Sequence, residues 1–325
     1  MDVSFKSVSH NSANGYPQSR KDLEGSLAEF GIFLKEDDIG RDIGLCYGYP
    51  HNIKFLEKWG CKKKVVFTMF ESTRIPDDWH EPLKKADKII VPGQFCRQAL
   101  NDAGFEAEII PLGYNDKFFR YYKRPRRDVF TFLHYDAYGF RKGWDITFRA
   151  FTKAFDPDEP VRLIFKTVFP ERLPPMGEYK NIEFIYDVTP RERLQMDWLN
   201  KADCMVFPSR GEGFGHTPLE AMATGLPVMI PDGSGMSEYF DHKRFIELNY
   251  KPCDALYDHY PKEQTGKMIE CDADYLARVM RETYRLWKED PDRIDQWTRE
   301  NAAWVQKNWT YKQTAYKLNK LLCGL

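Results

Sequence analysis

The sequence has no long run of apolar residues. No stretch approaches the ~18 apolar residues that a membrane-spanning helix needs, and residues 1–16 lack the apolar segment of a signal peptide. We therefore expect a soluble, unprocessed and cytoplasmic protein.

Paired motifs for metals or disulfides are missing as well. The seven cysteines are scattered without a C-x-x-C pair, and the seven histidines show neither H-x-x-x-H nor H-E-x-x-H spacing. These patterns disfavour a disulfide framework, a zinc site and a metalloenzyme, and the cysteine usage predicts a reducing compartment. An excess of one charge is also missing, since 48 Lys and Arg residues stand against 49 Asp and Glu. This near balance excludes the overall basic field expected of a protein that coats nucleic acid.

The sequence does contain alternating strand and helix patterns. Its 325 residues, 42% of them hydrophobic, can bury the cores of about two domains. A first series of strands is predicted at residues 3–8, 43–48, 64–69, 88–92 and 107–111, and a second at 129–134, 161–167, 182–186, 204–208 and 227–230. A basic linker, residues 115–127, separates the series, and helices follow from about residue 272 and at 310–322. This alternation predicts an α/β protein with two parallel-sheet lobes and a cleft at the carboxyl ends of their strands.

The most informative segment, residues 206–220, reads VFPSRGEGFGHTPLE. A strand ends at Pro208, a glycine-rich turn follows, and a helix opens near Thr217 with a proline in its first turn. Unpaired N–H groups at such a helix start attract phosphate, and the glycines let the main chain approach a ligand. Glu212 precedes the helix and Glu220 lies in its second turn, so both side chains can point into one cleft.

This segment resembles the E-x7-E signature of the retaining nucleotide-sugar glycosyltransferases of the GT-B fold, classification family 4. Two other stretches resemble the same family in the same order. Residues 110–118 (IPLGYNDKF) are similar to its P-x-G-x-D-x-x-x-F marker between the lobes, with Asn115 where aspartate is usual. Residues 130–150 are similar to the first strand, loop and helix of its donor lobe, and they carry its R-K-G triplet as Arg141, Lys142 and Gly143.

The resemblance implies two Rossmann-like α/β/α lobes that face a central cleft, with a C-terminal helix crossing back to the N-terminal lobe. Residues 1–124 would bind the acceptor, residues 125–305 would bind the nucleotide sugar, and residues 306–325 would form the crossing helix. The implied activity is retaining transfer of a glucose-like hexose from a UDP- or GDP-sugar to a hydroxyl acceptor. Family members of this kind usually need no metal, and no cofactor is expected.

The resemblance also implies roles for single residues on the donor side. Glu212 would hold hydroxyls of the transferred sugar together with the backbone of Gly213, Phe214 and Gly215. Glu220 would accept hydrogen bonds from the ribose, and the diphosphate would bind backbone N–H groups near Thr217, Pro218 and Leu219. His216 is either a ligand contact or a passive loop residue.

Arg141 and Lys142 would neutralise the diphosphate. In the family the phosphate arginine usually lies five residues before the lysine, a position that is Ala137 here. On the acceptor side, Gly15 corresponds to a glycine turn that faces the diphosphate and the acceptor. Glu71 could position the acceptor hydroxyl, pair with Arg74 or cap the next turn, and its place at the end of a strand favours the first role.

Residues 54–127 carry a net charge of +6. This stretch is either a solvated face or a surface for an anionic acceptor, such as DNA with hydroxymethylated bases or an anionic lipid. On the second hypothesis Lys62, Lys63 and Lys64 face the acceptor, and the aromatic residues interleaved with the basic linker contact it: Phe118, Phe119, Tyr121 and Tyr122. A lipid or polysaccharide acceptor, or a catalytically inactive protein that only binds a sugar nucleotide, are the alternatives.

The triplet Asp272-Ala273-Asp274 spells D-x-D, the metal motif of the other glycosyltransferase fold. It opens an amphipathic helix, and that position favours a helix N-cap over a metal site.

Overall fold

A computed structural model describes residues 1–7, 16–136, 139–167, 179–257, 260–261 and 265–325 of the chain. Two residues to which the sequence assigns significance, Gly15 and Ala137, lie outside these ranges.

The first part of the chain forms one parallel sheet flanked by helices. Its strands are β1 (Asp2–Ser7), β2 (Phe33–Glu36), β3 (Ile43–Tyr47), β4 (Lys63–Phe67), β5 (Lys88–Val91) and β6 (Glu108–Ile109). Its helices are α1 (Tyr16–Ala28), α2 (Ile53–Lys58), α3 (His80–Lys84) and α4 (Gln94–Asp102). The strand order is β2-β1-β3-β4-β5-β6. Val65, Val66 and Phe67 are wholly buried because helices cover both faces of the sheet.

A second parallel sheet follows. Its strands are β7 (Phe130–Tyr135), β8 (Val161–Thr167), β9 (Ile182–Tyr186), β10 (Cys204–Val206), β11 (Val228–Pro231) and β12 (Ile246–Leu248). The helices among them are α5 (Trp144–Ala154), α6 (Arg191–Asp197) and α7 (His216–Ala223). The strands lie in the order β12-β11-β10-β7-β8-β9. All the strands predicted for both lobes are present, whereas β2 and β12 were not predicted.

An antiparallel hairpin and three helices complete the chain. The hairpin consists of β13 (Tyr250–Asp254) and β14 (Lys267–Cys271), and the helices are α8 (Ala273–Glu289), α9 (Pro291–Asn308) and α10 (Tyr311–Cys323). An Asp272 carboxylate oxygen accepts hydrogen bonds from the backbone N–H groups of Asp274 at 2.8 Å and Tyr275 at 3.1 Å. The N-cap prediction for the D-x-D triplet is therefore confirmed. Among the described residues, no cluster of His, Cys, Asp and Glu could hold a metal ion.

The chain crosses between the two lobes twice, and the crossings touch each other. The Tyr114 N–H donates to the carbonyl of Trp309 at 2.8 Å, and the Tyr311 N–H donates to the carbonyl of Tyr114 at 3.3 Å. Helix α10 then packs on α1, burying Leu318 and Leu322. The C-terminal helix thus returns to the first lobe, as predicted.

The division at residues 124/125 and 305/306 stays a proposal. Helix α9 continues to Asn308, so the second of these boundaries falls within its last turn. Within the ranges given above, no helix has both the length and the apolar character needed to cross a bilayer.

Candidate functional site

The carboxyl ends of the two sheets face each other across a narrow cleft. The loop after β10 and the loop after β4 meet there, and a Cβ atom on Gly211 would lie 2.3 Å from the carbonyl oxygen of Glu71. Only glycine allows this approach, because any side chain would force the two loops apart. The cleft is therefore lined by residues that directly follow strands, as expected for ligand sites in parallel α/β sheets.

Glu212 is the centre of the second-lobe side of the cleft. Only 7% of the residue is exposed, and its Oε1 atom accepts hydrogen bonds from Lys142 Nζ at 2.7 Å and Ser209 Oγ at 2.6 Å. Arg141 Nη1 lies 3.3 Å from the same oxygen. Lys142 also pairs with Asp136, at the end of β7, at 2.8 Å. Arg141 and Lys142 therefore converge on one carboxylate, although they are neighbours in sequence.

The cations around Glu212 decide its charge. Burial alone would raise the pKa of this carboxyl, but the charges of Lys142 and Arg141 outweigh burial and hold the pKa below its usual value. The pKa of Asp136 is shifted in the opposite direction, because burial raises it in spite of the pairing with Lys142. Glu212 is thus the firmly ionised member of the pair of carboxylates that share Lys142.

Helix α7 begins directly after this loop without a side-chain cap among the described residues. Gly215 precedes it with a left-handed φ of +85°, a conformation that favours glycine and turns the chain into the helix. The first N–H groups of a helix have no partner within the helix, so those of His216, Thr217 and Leu219 are available to a ligand. Together with Lys142, this helix start can hold an anion.

Glu220, in the same helix, is paired with an arginine that the sequence did not indicate. Its Oε1 atom accepts a hydrogen bond from Arg191, at the start of α6, and only 4% of Glu220 is exposed. Arg191 also pairs at 2.7 Å with Asp22 on α1. Burial raises the pKa values of Glu220 and Asp22 above their usual values, although the Arg191 charge opposes this effect. Arg191 therefore joins carboxylates from both lobes.

Asn115 completes this network. It donates a hydrogen bond from Nδ2 to Asp22 Oδ1 at 2.5 Å. An aspartate at position 115, usual in the family that the sequence resembles, would place a second carboxylate against Asp22. A polar cavity of about 670 Å³ opens beside Arg191, between α1, the linker and α6.

Glu71 lies on the first-lobe side, opposite Glu212. It accepts a hydrogen bond from the hydroxyl of Tyr257 at 3.3 Å and lies 3.8 Å from Arg141. Arg74, an alternative partner considered for Glu71, donates to Asp77 at 2.9 Å. The structure thus brings Glu71 to the Arg141 and Glu212 cluster, which sequence spacing could not establish.

His216 is fixed by a contact across the chain. Its Nε2 atom lies 2.7 Å from the hydroxyl of Tyr311, the first residue of α10. Burial, assisted by the charge of Arg191, lowers the pKa of His216 to about 3, so the ring is neutral. The other residues predicted around it include Phe214, Pro218 and Leu219, whose side chains are buried.

The prediction that Lys62, Lys63 and Lys64 face the acceptor is wrong. Lys63 begins β4, so Lys62, Lys63 and Lys64 lie at the amino end of that strand, whereas the cleft lies at the carboxyl end. Lys62 and Lys64 also pair with acidic side chains, Asp42 at 2.9 Å and Asp87 at 3.6 Å.

The basic linker is also largely structural. Arg124 donates to the backbone carbonyls of Leu199, Ala202 and Thr224. Of the interleaved aromatic residues, Phe119 is wholly buried in the core. These contacts fix the linker to the second lobe. Arg124 and Phe119 are therefore not part of a surface that could contact an acceptor.

Comparison with known proteins adds a family match. Residues 132–256 match the family model described as Glycosyl transferases group 1. The matched part runs from β7 to just after β13 and contains the R-K-G triplet and both glutamates of the signature.

Two curated proteins are similar over parts of the chain. The lipopolysaccharide core biosynthesis mannosyltransferase LpsB of Rhizobium meliloti is 29% identical over 153 residues, which are 47% of this chain and 36% of that protein. The D-inositol 3-phosphate glycosyltransferase of Jonesia denitrificans is 34% identical over 80 residues, which are 24% of this chain and 17% of that protein. The matches thus span little more than a third of these relatives at most.

Solved structures are similar over the whole chain. Sucrose-phosphate synthase from Thermosynechococcus elongatus aligns with a TM-score of 0.74 and 15% identity, covering 99% of this chain and 98% of that one. Anabaena HepE, in complex with UDP and glucose, aligns with a TM-score of 0.69 and 14% identity, covering 100% of both chains. These likenesses confirm the predicted GT-B fold, and the family match over residues 132–256 supports a glycosyltransferase.

The lowered pKa of Glu212 predicts how its contribution to stability depends on pH. Because the folded-state pKa lies below the usual 4.5, the ionised carboxylate stabilises the fold fully above that pH and loses this effect as the pH falls through the folded pKa. We expect Glu212→Gln to lower the free energy of unfolding by roughly 1–3 kcal/mol at pH 7 and by much less near pH 3.

Urea unfolding from pH 3 to pH 7 measures this difference. Glu106→Gln, at an exposed position, is the matched control and should change stability little at any pH. A Glu212→Gln effect that stays constant or grows as the pH falls would contradict the assignment.

Proposed function

We propose that this protein transfers a hexose from a UDP- or GDP-sugar to a hydroxyl acceptor, with retention of the anomeric configuration. The observation that carries the proposal is the Glu212 carboxylate, held by Lys142 and Arg141 beside the start of α7. This arrangement offers one carboxylate for sugar hydroxyls and several positive groups for a diphosphate within one cleft. The family match over residues 132–256 supports it.

The positive groups suit the chemistry of the transfer. Breaking the bond between sugar and phosphate builds negative charge on the leaving diphosphate and positive charge on the anomeric carbon. In our proposal Lys142, Arg141 and the N–H groups that open α7 stabilise the first charge. They are fixed in advance by Glu212 and by the helix, so little reorganisation is needed when the charge develops.

The order of groups along the cleft suits a sugar nucleotide. We propose that the sugar lies against Glu212, the diphosphate at the start of α7, and the ribose against Glu220. The cavity beside Arg191 then gives room for the base. Because Arg191 already pairs with Glu220, the ribose must share that carboxylate or displace the arginine.

On the acceptor side, we propose that Glu71 positions the attacking hydroxyl, since it lies across the cleft from Glu212 and beside Arg141. The curated relative named for lipopolysaccharide core biosynthesis makes a saccharide or lipid-linked acceptor the first class to assay. DNA with hydroxymethylated bases is the second class, and it has lost the support of Lys62, Lys63 and Lys64. Sugar transfer measured with each acceptor class decides between them, and donor binding without any transfer would indicate an inactive binding protein.

A first prediction concerns nucleotide binding. Glu220→Gln should weaken the binding of UDP or GDP by roughly 1–3 kcal/mol, because an amide replaces a charged acceptor of ribose hydrogen bonds. Titration calorimetry measures the change. The matched control is Glu183→Gln, an exposed position on β9. Equal affinities of the Glu220→Gln variant and the parent protein for both nucleotides would refute the ribose assignment.

A second prediction concerns stereochemistry and metal dependence. The product should have the same anomeric configuration as the donor, and activity should survive EDTA, because the proposal assigns the leaving-group charge to protein cations. Proton NMR of the first-formed product reports the anomer. An inverted anomer, or activity that returns only with Mn²⁺ or Mg²⁺, would show that the signature has been misinterpreted.

A further inference from the structure

The C-terminal helix reaches the second lobe through the side chain of Tyr311. The backbone N–H of this residue donates to the carbonyl of Tyr114, the residue before the linker. Its ring stacks on the imidazole of His216, with ring centroids 6.0 Å apart and planes 10° from parallel. The hydroxyl lies 2.7 Å from Nε2 of the same ring. The first residue of α10 thus contacts the first residue of α7.

The direction of this hydrogen bond follows from the burial of the phenol. Tyr311 is only 3% exposed, and among the described residues His216 is its sole side-chain hydrogen-bond partner. If the phenol oxygen instead accepted a hydrogen bond from Nε2–H, its own O–H would be buried without an acceptor, which is costly. The Tyr311 O–H therefore donates to Nε2.

A neutral imidazole that accepts at Nε2 carries its proton on Nδ1. The ring is neutral, since its pKa is lowered to about 3. No described residue accepts a hydrogen bond from Nδ1 of His216, so within the described part of the chain this N–H group has no partner.

The surroundings of this N–H group suit an anion. The positive charges of Arg191 and Lys142 act on the His216 ring, and the negative charge of Glu212 only partly opposes them. His216 is half-buried and opens α7, whose backbone N–H groups have no side-chain cap among the described residues. Lys142 and Arg191 already pair with carboxylates, whereas among the described residues the Nδ1–H group and the first N–H groups of α7 have no such oxygen ligand.

We propose that Tyr311 fixes His216 in the tautomer protonated at Nδ1, and that this N–H donates a hydrogen bond to a diphosphate oxygen of the donor. The proposal rests on the proposed function, and it adds one side chain, His216, to the groups that bind the diphosphate. Tyr311 is a positioning residue, supplied by the crossing helix, and His216 makes the contact.

Two substitutions at position 216 separate the ring nitrogens. An asparagine amide nitrogen can take the place of Nδ1, whereas a glutamine amide nitrogen reaches the place of Nε2. We expect His216→Asn to bind UDP and GDP within about threefold of the parent, and His216→Gln to bind them at least tenfold more weakly, as for a lost hydrogen bond to a charged group. Affinity for uridine and guanosine, which lack phosphate, should be the same in all three proteins.

The role of Tyr311 is tested by its hydroxyl. Tyr311→Phe should weaken UDP and GDP binding by about fivefold or more without changing uridine or guanosine binding, and it should have no further effect in a His216→Asn background. NMR of protein labelled with ¹⁵N-histidine should show Nδ1 protonated in the parent and a mixture of tautomers in Tyr311→Phe. Tyr47→Phe is the control, because it removes another buried hydroxyl, which donates to Ser19 at 2.8 Å.

The outcomes distinguish this proposal from the function on which it rests. If the parent binds UDP or GDP and His216→Gln binds them equally well, the proposal is wrong and the function stands. It is equally wrong if Tyr311→Phe weakens nucleoside and nucleotide binding alike, or if the parent is protonated at Nε2. If the parent binds neither nucleotide, the proposed function fails and the phosphate contact fails with it.

Discussion

Balancing buried charge is the constraint on which the cleft depends. Four carboxylates are withdrawn from water there, and three cations compensate them. The carboxylates belong to Asp22, Asp136, Glu212 and Glu220, and the cations to Arg141, Lys142 and Arg191. A buried ion without a partner costs several kcal/mol, so removing Lys142 would leave Asp136 uncompensated and removing Arg191 would leave Asp22 and Glu220 uncompensated. The positions of these side chains are therefore determined by one another more than by the loops that carry them.

The same constraint links the cleft to the arrangement of the lobes. Arg191 belongs to the second lobe and Asp22 to the first, so their pairing holds the lobes in register. Helix α10 adds a contact of another kind, because Tyr311 is anchored in the crossing and reaches His216 at the start of α7. A diphosphate bound there would bring further negative charge to cations already shared with carboxylates, and we infer that donor binding redistributes the ion pairs that join the lobes.

Much of this could be predicted from sequence, and the exceptions have a physical cause. The loop from Pro208 to Glu220 was predictable because strand, turn and helix signals follow one another locally. Arg191 and Tyr311 were not, because each acts through a partner far away in sequence and belongs to no local pattern. The net positive charge of residues 54–127 led to the wrong prediction that Lys62–Lys64 face the acceptor. The net charge of a segment does not show whether its charged residues lie at the amino or the carboxyl end of a strand. The strands β2 (FLKE) and β13 (YKPCD) were missed because they are short and none of their residues is fully buried, so they show no apolar run of the kind by which buried strands are recognised.

The central claim is that the diphosphate of a nucleoside diphosphate binds at the start of α7 beside Glu212. Hydrogen–deuterium exchange of the whole protein, with and without saturating UDP or GDP, tests it most directly. The account predicts slower exchange of backbone amides in residues 211–219 and around Arg141 and Lys142, and unchanged exchange on the outer face of α8. Protection confined to other parts of the chain, or no protection of residues 211–219 by either nucleotide, would contradict it.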